Sequence, residues 1–178
     1  DDEWSNGFAE IIKYSCLYDG GLYEELKRRN LDYYKGGNDV IDDVIRQCAG
    51  WKNKVVAEDE REQGARKMLN FGHTAAHAIE NLYELPHGKA VGIGMVIACM
   101  ISEHETGLNS ELTKEVKELM TRYNLPVRIS IDVARAMQLL KMDKKRVDDT
   151  VDYILLEAIG KPVIKPMAFD VVEKALAE

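Results

Sequence analysis

Apolar residues recur along most of the chain with the three- and four-residue spacing of an α-helix surface, and strand-like alternation is confined to the last third. Serine, asparagine and aspartate residues that can cap helices precede several of these runs. The expected helices are, in order, about 5–18 after a Ser5 or Asn6 cap, 23–29, a long helix after an Asn38 cap, 66–83, 89–105, a helix to Tyr123 after an Asn109 or Ser110 cap, one to about Met142 with an Asp132 cap, and a last one from about Asp170. The pattern therefore predicts a mainly α-helical protein.

The segment 89–105 differs from the others because it is apolar nearly all round, so we expect it to be the most buried helix. Its residues Gly92 and Gly94 would allow a neighbouring helix to come close. The preceding helix, over 66–83, is expected to bend near Gly72.

The two plausible strands are 151–157 and 162–165, which would form a hairpin around Gly160 and Lys161. The predicted fold is thus multi-helical, with at most a small β-hairpin near residues 151–165. No GxGxxG loop follows a strand, so the sequence contains no recognisable nucleotide-binding half.

Composition and charge narrow the range of partners. The chain has 178 residues and a net charge of −7, with no basic stripe, so we expect no nucleic-acid partner. Its longest apolar stretch, 91–101, is too short to span a bilayer, so no membrane partner is expected.

Three widely spaced cysteines without a CxxC pair favour a reducing, cytoplasmic location. The start at Asp1, without a signal peptide, resembles a fragment of a longer protein.

Three of the four histidines lie within fifteen residues. His73 and His77 are four residues apart, so they would share a face of a helix, and His87 follows in a Pro-His-Gly turn. Neutral imidazole is a common zinc ligand, and a catalytic zinc usually has three protein ligands and one open position. The HExxH pattern of metalloproteases is absent, because Thr74 occupies the glutamate position. The fourth histidine, His104, lies among glutamates and is interpreted as a solvated surface residue.

An acidic ligand to accompany the histidines is available at Glu10, whose neighbours on the first predicted helix are apolar. A buried carboxylate needs a partner. Lys13, three residues on, could form an ordinary helix-surface ion pair with it. Alternatively, Glu10 binds a metal beside a lysine that faces an anionic substrate.

Three segments carry a family resemblance: GFAEIIKY (7–14), DEREQGARKMLNFGHTAAHAIE (59–80) and HGKAVGIGM (87–95). In order and spacing they resemble 3-dehydroquinate synthase. Further support comes from Leu125-Pro126, from Asp143-Lys144-Lys145 and from the stretch 153–160. The resemblance extends over nearly the whole chain, and its middle segment is the most specific part.

The resemblance implies an enzyme with an N-terminal NAD-binding domain, a C-terminal helical domain and an active site in the cleft between them. Residues 1–178 would be the helical metal- and substrate-binding domain, and the NAD-binding domain would be absent from this chain. Such enzymes convert 3-deoxy-D-arabino-heptulosonate 7-phosphate to 3-dehydroquinate and phosphate. The implied cofactors are NAD and zinc, or another divalent cation such as cobalt. The full-length enzyme would be a homodimer.

The resemblance also implies roles for individual residues. The metal ligands would be Glu10, His73 and His87. The substrate, a phosphorylated sugar acid, would contact Lys13, Lys52, Arg66, Asn70, His77 and a lysine at Lys144 or Lys145. Of these, Lys13, Asn70 and His77 would act in catalysis, with His77 as a hydrogen-bonding or proton-shuttling residue rather than a ligand.

Three other interpretations remain open. One is another sugar-phosphate cyclase, such as a 2-deoxy-scyllo-inosose synthase. A second is an iron-type alcohol or glycerol dehydrogenase, although its uncharged substrates would not need the cations Lys13, Lys52 and Arg66. The third is a non-catalytic helical domain that serves dimerisation.

Overall fold

A computed structural model of the chain describes residues 2–37, 39–61, 64–143 and 150–178. Its elements are α1 (Asp2–Tyr18), α2 (Gly20–Arg28), α3 (Leu31–Lys35), α4 (Val40–Glu58), a 3-10 helix (Ala65–Asn70), α5 (His73–Tyr83), α6 (His87–Glu105), α7 (Ser110–Arg122), α8 (Val133–Asp143), β1 (Thr150–Ala158), β2 (Lys161–Ala168) and α9 (Phe169–Ala177). The mainly helical class and the small hairpin are confirmed.

Helix α6 is the centre of the fold. Most of its side chains are buried, and it packs against α1, α5, α7, α9 and β1. This is the environment predicted for a helix that is apolar nearly all round, because such a helix has no face suited to water. In the described ranges, no helix combines the length and the hydropathy needed to cross a membrane.

Close contact between α5 and α6 depends on a pair of glycines. A Cβ placed on Gly94 would lie 2.0 Å from the carbonyl oxygen of Gly72, far inside van der Waals contact. Gly72 itself has a φ of 79°, in the left-handed region that glycine adopts without strain. By contrast, a Cβ on Gly92 would meet its nearest neighbour, the Pro126 carbonyl oxygen, at 3.5 Å. Of the two glycines noted in the sequence, only Gly94 is required by close packing.

The single helix expected over 66–83 is not formed. The 3-10 helix ends at Asn70, Phe71 adopts an extended conformation, and Gly72 turns the chain before α5 begins at His73. The periodicity of the sequence continues through this position, so it predicted only a bend near Gly72 and not a break between two elements. The cause of the break is tertiary. The backbone of Gly72 contacts α6 at Gly94, and its φ of 79° lies outside the helical region.

Several helix ends also differ from expectation. Helix α1 begins at Asp2, so Ser5 lies buried inside the helix and does not cap it. Gly20 and Gly21 were expected to end α1, but they are the first two residues of α2. Asp19 caps α2, and its carboxylate accepts from the Leu22 N–H at 2.9 Å. Helix α3 was not expected from the sequence. The cap assigned to Asn38 lies outside the described residues.

Other predicted boundaries are confirmed. Asn109 caps α7 by accepting from the Glu111 N–H at 2.9 Å, and Asp132 caps α8 by accepting from the Arg135 N–H at 3.1 Å. His104 is exposed, as expected.

The hairpin is antiparallel, and its turn is at Gly160, which has a φ of 75°. Two side chains of the α6 C-terminal region bind its first strand: the Ser102 hydroxyl accepts from the Leu156 N–H at 3.0 Å, and the Thr106 hydroxyl donates to the Leu156 carbonyl at 2.6 Å. The Gly160 N–H donates to the Cys16 carbonyl at 2.8 Å. These bonds anchor the hairpin to α1 and α6.

All three thiols are buried, and burial raises the pKa of Cys16 to about 12 and that of Cys48 to about 11. Because the thiolate is the nucleophile, we expect no rapid reaction of the native protein with a disulfide reagent at pH 8. Three thiols should react after unfolding in guanidinium, which serves as the control. A thiol that reacts rapidly in the native protein would contradict this expectation and would show that the structure around that cysteine opens.

Candidate metal centre

Glu10, His73 and His87 lie far apart in sequence but meet where three helices converge. Glu10 lies in the middle of α1, and the two histidines are the first residues of α5 and α6. One ligand atom from each residue lies within 4.8 Å of the other two. His87 was expected in a turn, but it begins a helix.

A close contact between α1 and α6 places His87 beside Glu10. A Cβ on Gly88 would lie 2.5 Å from both the Cα and the carbonyl oxygen of Asn6, so only glycine permits this approach. Glu10 lies four residues after Asn6, on the same face of α1. The glycine of the Pro-His-Gly segment therefore brings the His87 imidazole within reach of the Glu10 carboxylate.

Both imidazoles direct Nε2 towards the same carboxylate oxygen. The distances to Glu10 Oε1 are 3.6 Å from His73 Nε2 and 3.9 Å from His87 Nε2. The other ring nitrogens face acceptors: His73 Nδ1 lies 3.1 Å from the Phe71 carbonyl oxygen, and His87 Nδ1 lies 3.2 Å from Glu80 Oε2. A proton on each Nδ1 leaves each Nε2 with a lone pair directed into the cluster.

The electrostatics of the cluster favour neutral His73. Burial lowers the pKa of His73 to about 4, and the charge of Lys13 adds to this effect while the Glu10 carboxylate opposes it. The imidazole is therefore neutral at pH 7, which is the form that binds a metal.

Glu10 Oε1 supplies a test of whether these residues suit a cation. This oxygen is buried and has no hydrogen-bond partner, while Oε2 of the same carboxylate lies 2.7 Å from Lys13 Nζ. A buried carboxylate oxygen without a partner is unfavourable, and a cation between it and the two Nε2 atoms would satisfy it. Two imidazoles and one carboxylate also form a ligand set found in catalytic zinc sites. The residues fit a divalent metal.

Lys13 provides a buried cation next to the cluster. Only 4% of its side chain is exposed, and its ammonium group pairs with Glu10. Burial lowers the pKa of Lys13, the Glu10 carboxylate counteracts this, and the charge of Lys52 lowers it further. The Glu10–Lys13 pair is therefore not an ordinary surface pair.

Lys52 is exposed on α4 and lines the same cavity as Glu10, a cleft of about 510 Å³ between α1 and α4. The remaining walls of the cleft are largely apolar and include Phe8 and Ile11. Lys13 and Lys52 thus bring two cationic side chains towards the carboxylate that faces the histidines.

Arg66 lies on the 3-10 helix, where its backbone N–H donates to Asp59 Oδ2 at 3.0 Å and its guanidinium donates to the Glu60 carbonyl at 2.8 Å. Asn70 is half-buried at the end of the same 3-10 helix, three residues before His73.

His77 is exposed one turn after His73, and the centroids of the two rings are 5.9 Å apart. It is not part of the three-residue group around Glu10. Lys144 and Lys145 lie outside the described residues.

Sequence reasoning missed Glu80, which contacts His87 Nδ1, and it missed the role of Gly88. Glu80 precedes His87 by seven residues, with Pro86 between them, and this spacing does not correspond to a known metal-ligand motif. For Gly88 a weak signal existed, since glycine directly after a candidate ligand often permits close backbone approach.

Comparisons with known proteins concern the family and the fold of the chain. A family model described as 3-dehydroquinate synthase C-terminal matches residues 7–146. The 3-dehydroquinate synthase of Clostridium botulinum is 36% identical over 169 residues, which cover 91% of this chain and 47% of that protein. The 3-dehydroquinate synthase of Pyrococcus furiosus is 34% identical over 177 residues, covering 97% of this chain and 50% of that protein. The chain thus spans about half the length of the curated relatives it matches.

Two solved structures share the fold. A 2-epi-5-epi-valiolone synthase from Streptomyces hygroscopicus, with NAD⁺ and Zn²⁺ bound, has a TM-score of 0.86 at 24% identity, covering 98% of this chain and 50% of that one. A 2-deoxy-scyllo-inosose synthase complexed with carbaglucose-6-phosphate, NAD⁺ and Co²⁺ has a TM-score of 0.81 at 20% identity, covering 98% and 51%. With the family match extending over most of its length, the chain belongs to the 3-dehydroquinate synthase C-terminal family.

Proposed function

We propose that this chain is the metal- and substrate-binding half of a 3-dehydroquinate synthase, which converts 3-deoxy-D-arabino-heptulosonate 7-phosphate to 3-dehydroquinate and phosphate. The observation that carries the proposal is the convergence of Glu10, His73 and His87 beside the buried Lys13. Relatives named 3-dehydroquinate synthase, 34% and 36% identical over nearly the whole chain, support the proposal.

Glu10, His73 and His87 would hold one zinc or cobalt ion. Such an ion, when bound, polarises hydroxyl oxygens as a Lewis acid and orients the substrate. The chain's own contribution is to present one carboxylate and two imidazoles from three helix positions that backbone packing holds in place. A rigid ligand set of this kind supports positioning of the substrate, which is the main need of the later ring-opening and ring-closing steps.

The substrate carries a carboxylate and a phosphate, and the chain offers cations for both. Lys13, which pairs with Glu10, and Lys52, which lines the cleft beside Glu10, would bind these anions. Arg66 would join them by exchanging its bond to the Glu60 carbonyl for a substrate oxygen. We propose that Lys144 or Lys145 provides a further cation.

Proton handling would fall to His77, with Asn70 as a hydrogen-bonding partner of the substrate. His77 is exposed and adjacent to His73, so it can reach both solvent and a substrate at the cluster. Imidazole suits this role because one ring nitrogen can accept a proton while the other donates one.

NAD would accept a hydride from the substrate and return it later, so that it acts catalytically. Both solved cyclase structures contain NAD⁺. We propose that residues outside this chain bind most of this cofactor in a longer protein.

The three other interpretations make different predictions. Another sugar-phosphate cyclase would share the fold and the metal cluster but would not release phosphate from the heptulosonate substrate. An iron-type alcohol dehydrogenase would oxidise uncharged alcohols, and the buried cation Lys13 beside the cluster argues against such a substrate. A dimerisation domain without catalytic function would have no use for the cluster.

The proposal is tested first by bound metal. Elemental analysis of dialysed protein should find about one zinc per chain in the wild type and almost none in His87→Ala. The matched control is His104→Ala, at the exposed opposite end of the same helix, which should keep its zinc. A folded wild type that binds no added zinc or cobalt would overturn the metal assignment.

The reaction itself is tested on a longer protein that contains this chain and an NAD-binding domain. It should release phosphate from the heptulosonate phosphate with NAD present. A zinc-loaded, folded protein that forms no 3-dehydroquinate from this substrate but cyclises another sugar phosphate would reassign it within the cyclases.

A further inference from the structure

The two histidines of the cluster are held in different ways. His73 is 13% exposed, and its Nδ1 faces the backbone carbonyl of Phe71, which belongs to the rigid turn before α5. His87 is 49% exposed, so packing alone does not fix the orientation of its ring. Its Nδ1 lies 3.2 Å from a carboxylate oxygen of Glu80.

Helix α5 supplies both the first histidine and this carboxylate. His73 and Glu80 are seven residues apart, which corresponds to about two helical turns and therefore to one face of the helix. His87 contacts that face through Nδ1 at Glu80 and directs Nε2 towards Glu10 on α1. The His87 ring is thus placed between two carboxylates that approach from different helices.

We propose that Glu80 is a positioning residue for metal binding: its carboxylate accepts the Nδ1–H of His87 and thereby directs the Nε2 lone pair into the cluster. The inference rests on the proposed function, because it assumes that the cluster binds a metal. A histidine ligand commonly donates its second N–H to a carboxylate or a carbonyl, which sets the tautomer and makes the ligating nitrogen more basic. Here the Phe71 carbonyl serves His73 and Glu80 serves His87.

Glu80 is not a fourth ligand in this arrangement. The group of ligand atoms within 4.8 Å of one another contains Glu10, His73 and His87 but not Glu80. Glu80 faces the opposite edge of the His87 ring, so its influence on the metal passes through that imidazole.

The experiment measures zinc affinity, by competition with a chromophoric chelator, in the wild type, Glu80→Ala and Glu80→Gln. The matched control is Glu118→Gln, an exposed glutamate on α7. We expect Glu80→Ala to weaken binding about 10- to 100-fold. Glu80→Gln should weaken it less, because an amide oxygen can still accept from Nδ1–H. Glu118→Gln should leave the affinity unchanged.

A second measurement distinguishes whether Glu80 orients His87 or binds the metal itself. The absorption spectrum of the Co²⁺-loaded protein should be nearly the same in the wild type and Glu80→Ala, since the ligands are unchanged, but altered in His87→Ala. A nitrogen-15 NMR spectrum should show the proton of His87 on Nδ1 in the wild type. Circular dichroism confirms that each variant is folded.

Each outcome bears on a different claim. Wild-type affinity in a folded Glu80→Ala would overturn the role of Glu80 and leave the metal site intact. A changed Co²⁺ spectrum in Glu80→Ala would make Glu80 a ligand and overturn the positioning role. A wild type that binds neither metal would overturn the metal site, and this inference with it.

Discussion

The Gly94→Ala protein is expected to lose at least about 3 kcal/mol of unfolding free energy, a large part of what a domain of this size has. The added methyl would lie 2.0 Å from the Gly72 carbonyl oxygen and 3.2 Å from the Ala76 nitrogen. Both are backbone atoms, so no side chain can move aside to make room. The whole of α5 would have to shift from α6, and His73 would shift with it. Urea denaturation followed by circular dichroism measures the loss.

Gly92→Ala is the matched control, two residues away on the same helix. Its methyl would meet atoms at 3.5–3.7 Å, which is ordinary contact. Alanine is the better helix former, so we expect a change between zero and about 1 kcal/mol of added stability. Equal stability of the Gly94→Ala and Gly92→Ala proteins would contradict the close approach of α5 and α6.

The Glu10→Ala protein is expected to lose both metal binding and stability, because Glu10 serves two partners. Because Glu10 would itself be a metal ligand, its loss should weaken zinc binding by more than the roughly 100-fold that loss of a residue hydrogen-bonded to a ligand can cause. The metal-free protein should also lose about 2 kcal/mol, because Lys13 then remains buried without its carboxylate. This is less than the roughly 3–5 kcal/mol typical of a fully buried pair, since the Glu10 side chain is 35% exposed.

The double variant Glu10→Ala/Lys13→Met separates the two losses. Methionine keeps much of the volume of lysine without the buried charge, so most of the stability should return while zinc binding stays lost. Glu111→Ala is the control, since Glu111 and Lys114 form an exposed pair of the same spacing, whose loss should hardly change the stability. If Lys13→Met fails to restore stability, the buried charge is not the cause of the loss.

Much of the fold could be predicted because its information is local. The apolar character of α6 predicted its burial, and Asn109 and Asp132 marked helix starts through caps that act within three residues. Gly160 marked the hairpin turn, which is also a local feature. At Gly72 a bend was predicted but not the break between two elements, because the apolar periodicity continues across it and the break is caused by contact with a helix that comes later in the chain.

The helical class, the hairpin and the side chains available as ligands can be predicted from the amino-acid order, since periodicity, turn residues and histidine spacing are properties of neighbouring positions. The family resemblance that singled out Glu10, His73 and His87 is also a property of the sequence. The packing of the helices brings these three residues together, leaves His77 outside their group and places Glu80 against His87. The physical reason is that Gly88 and Gly94 let whole helices approach at backbone distance, and such contacts between remote segments leave no periodic trace in the sequence.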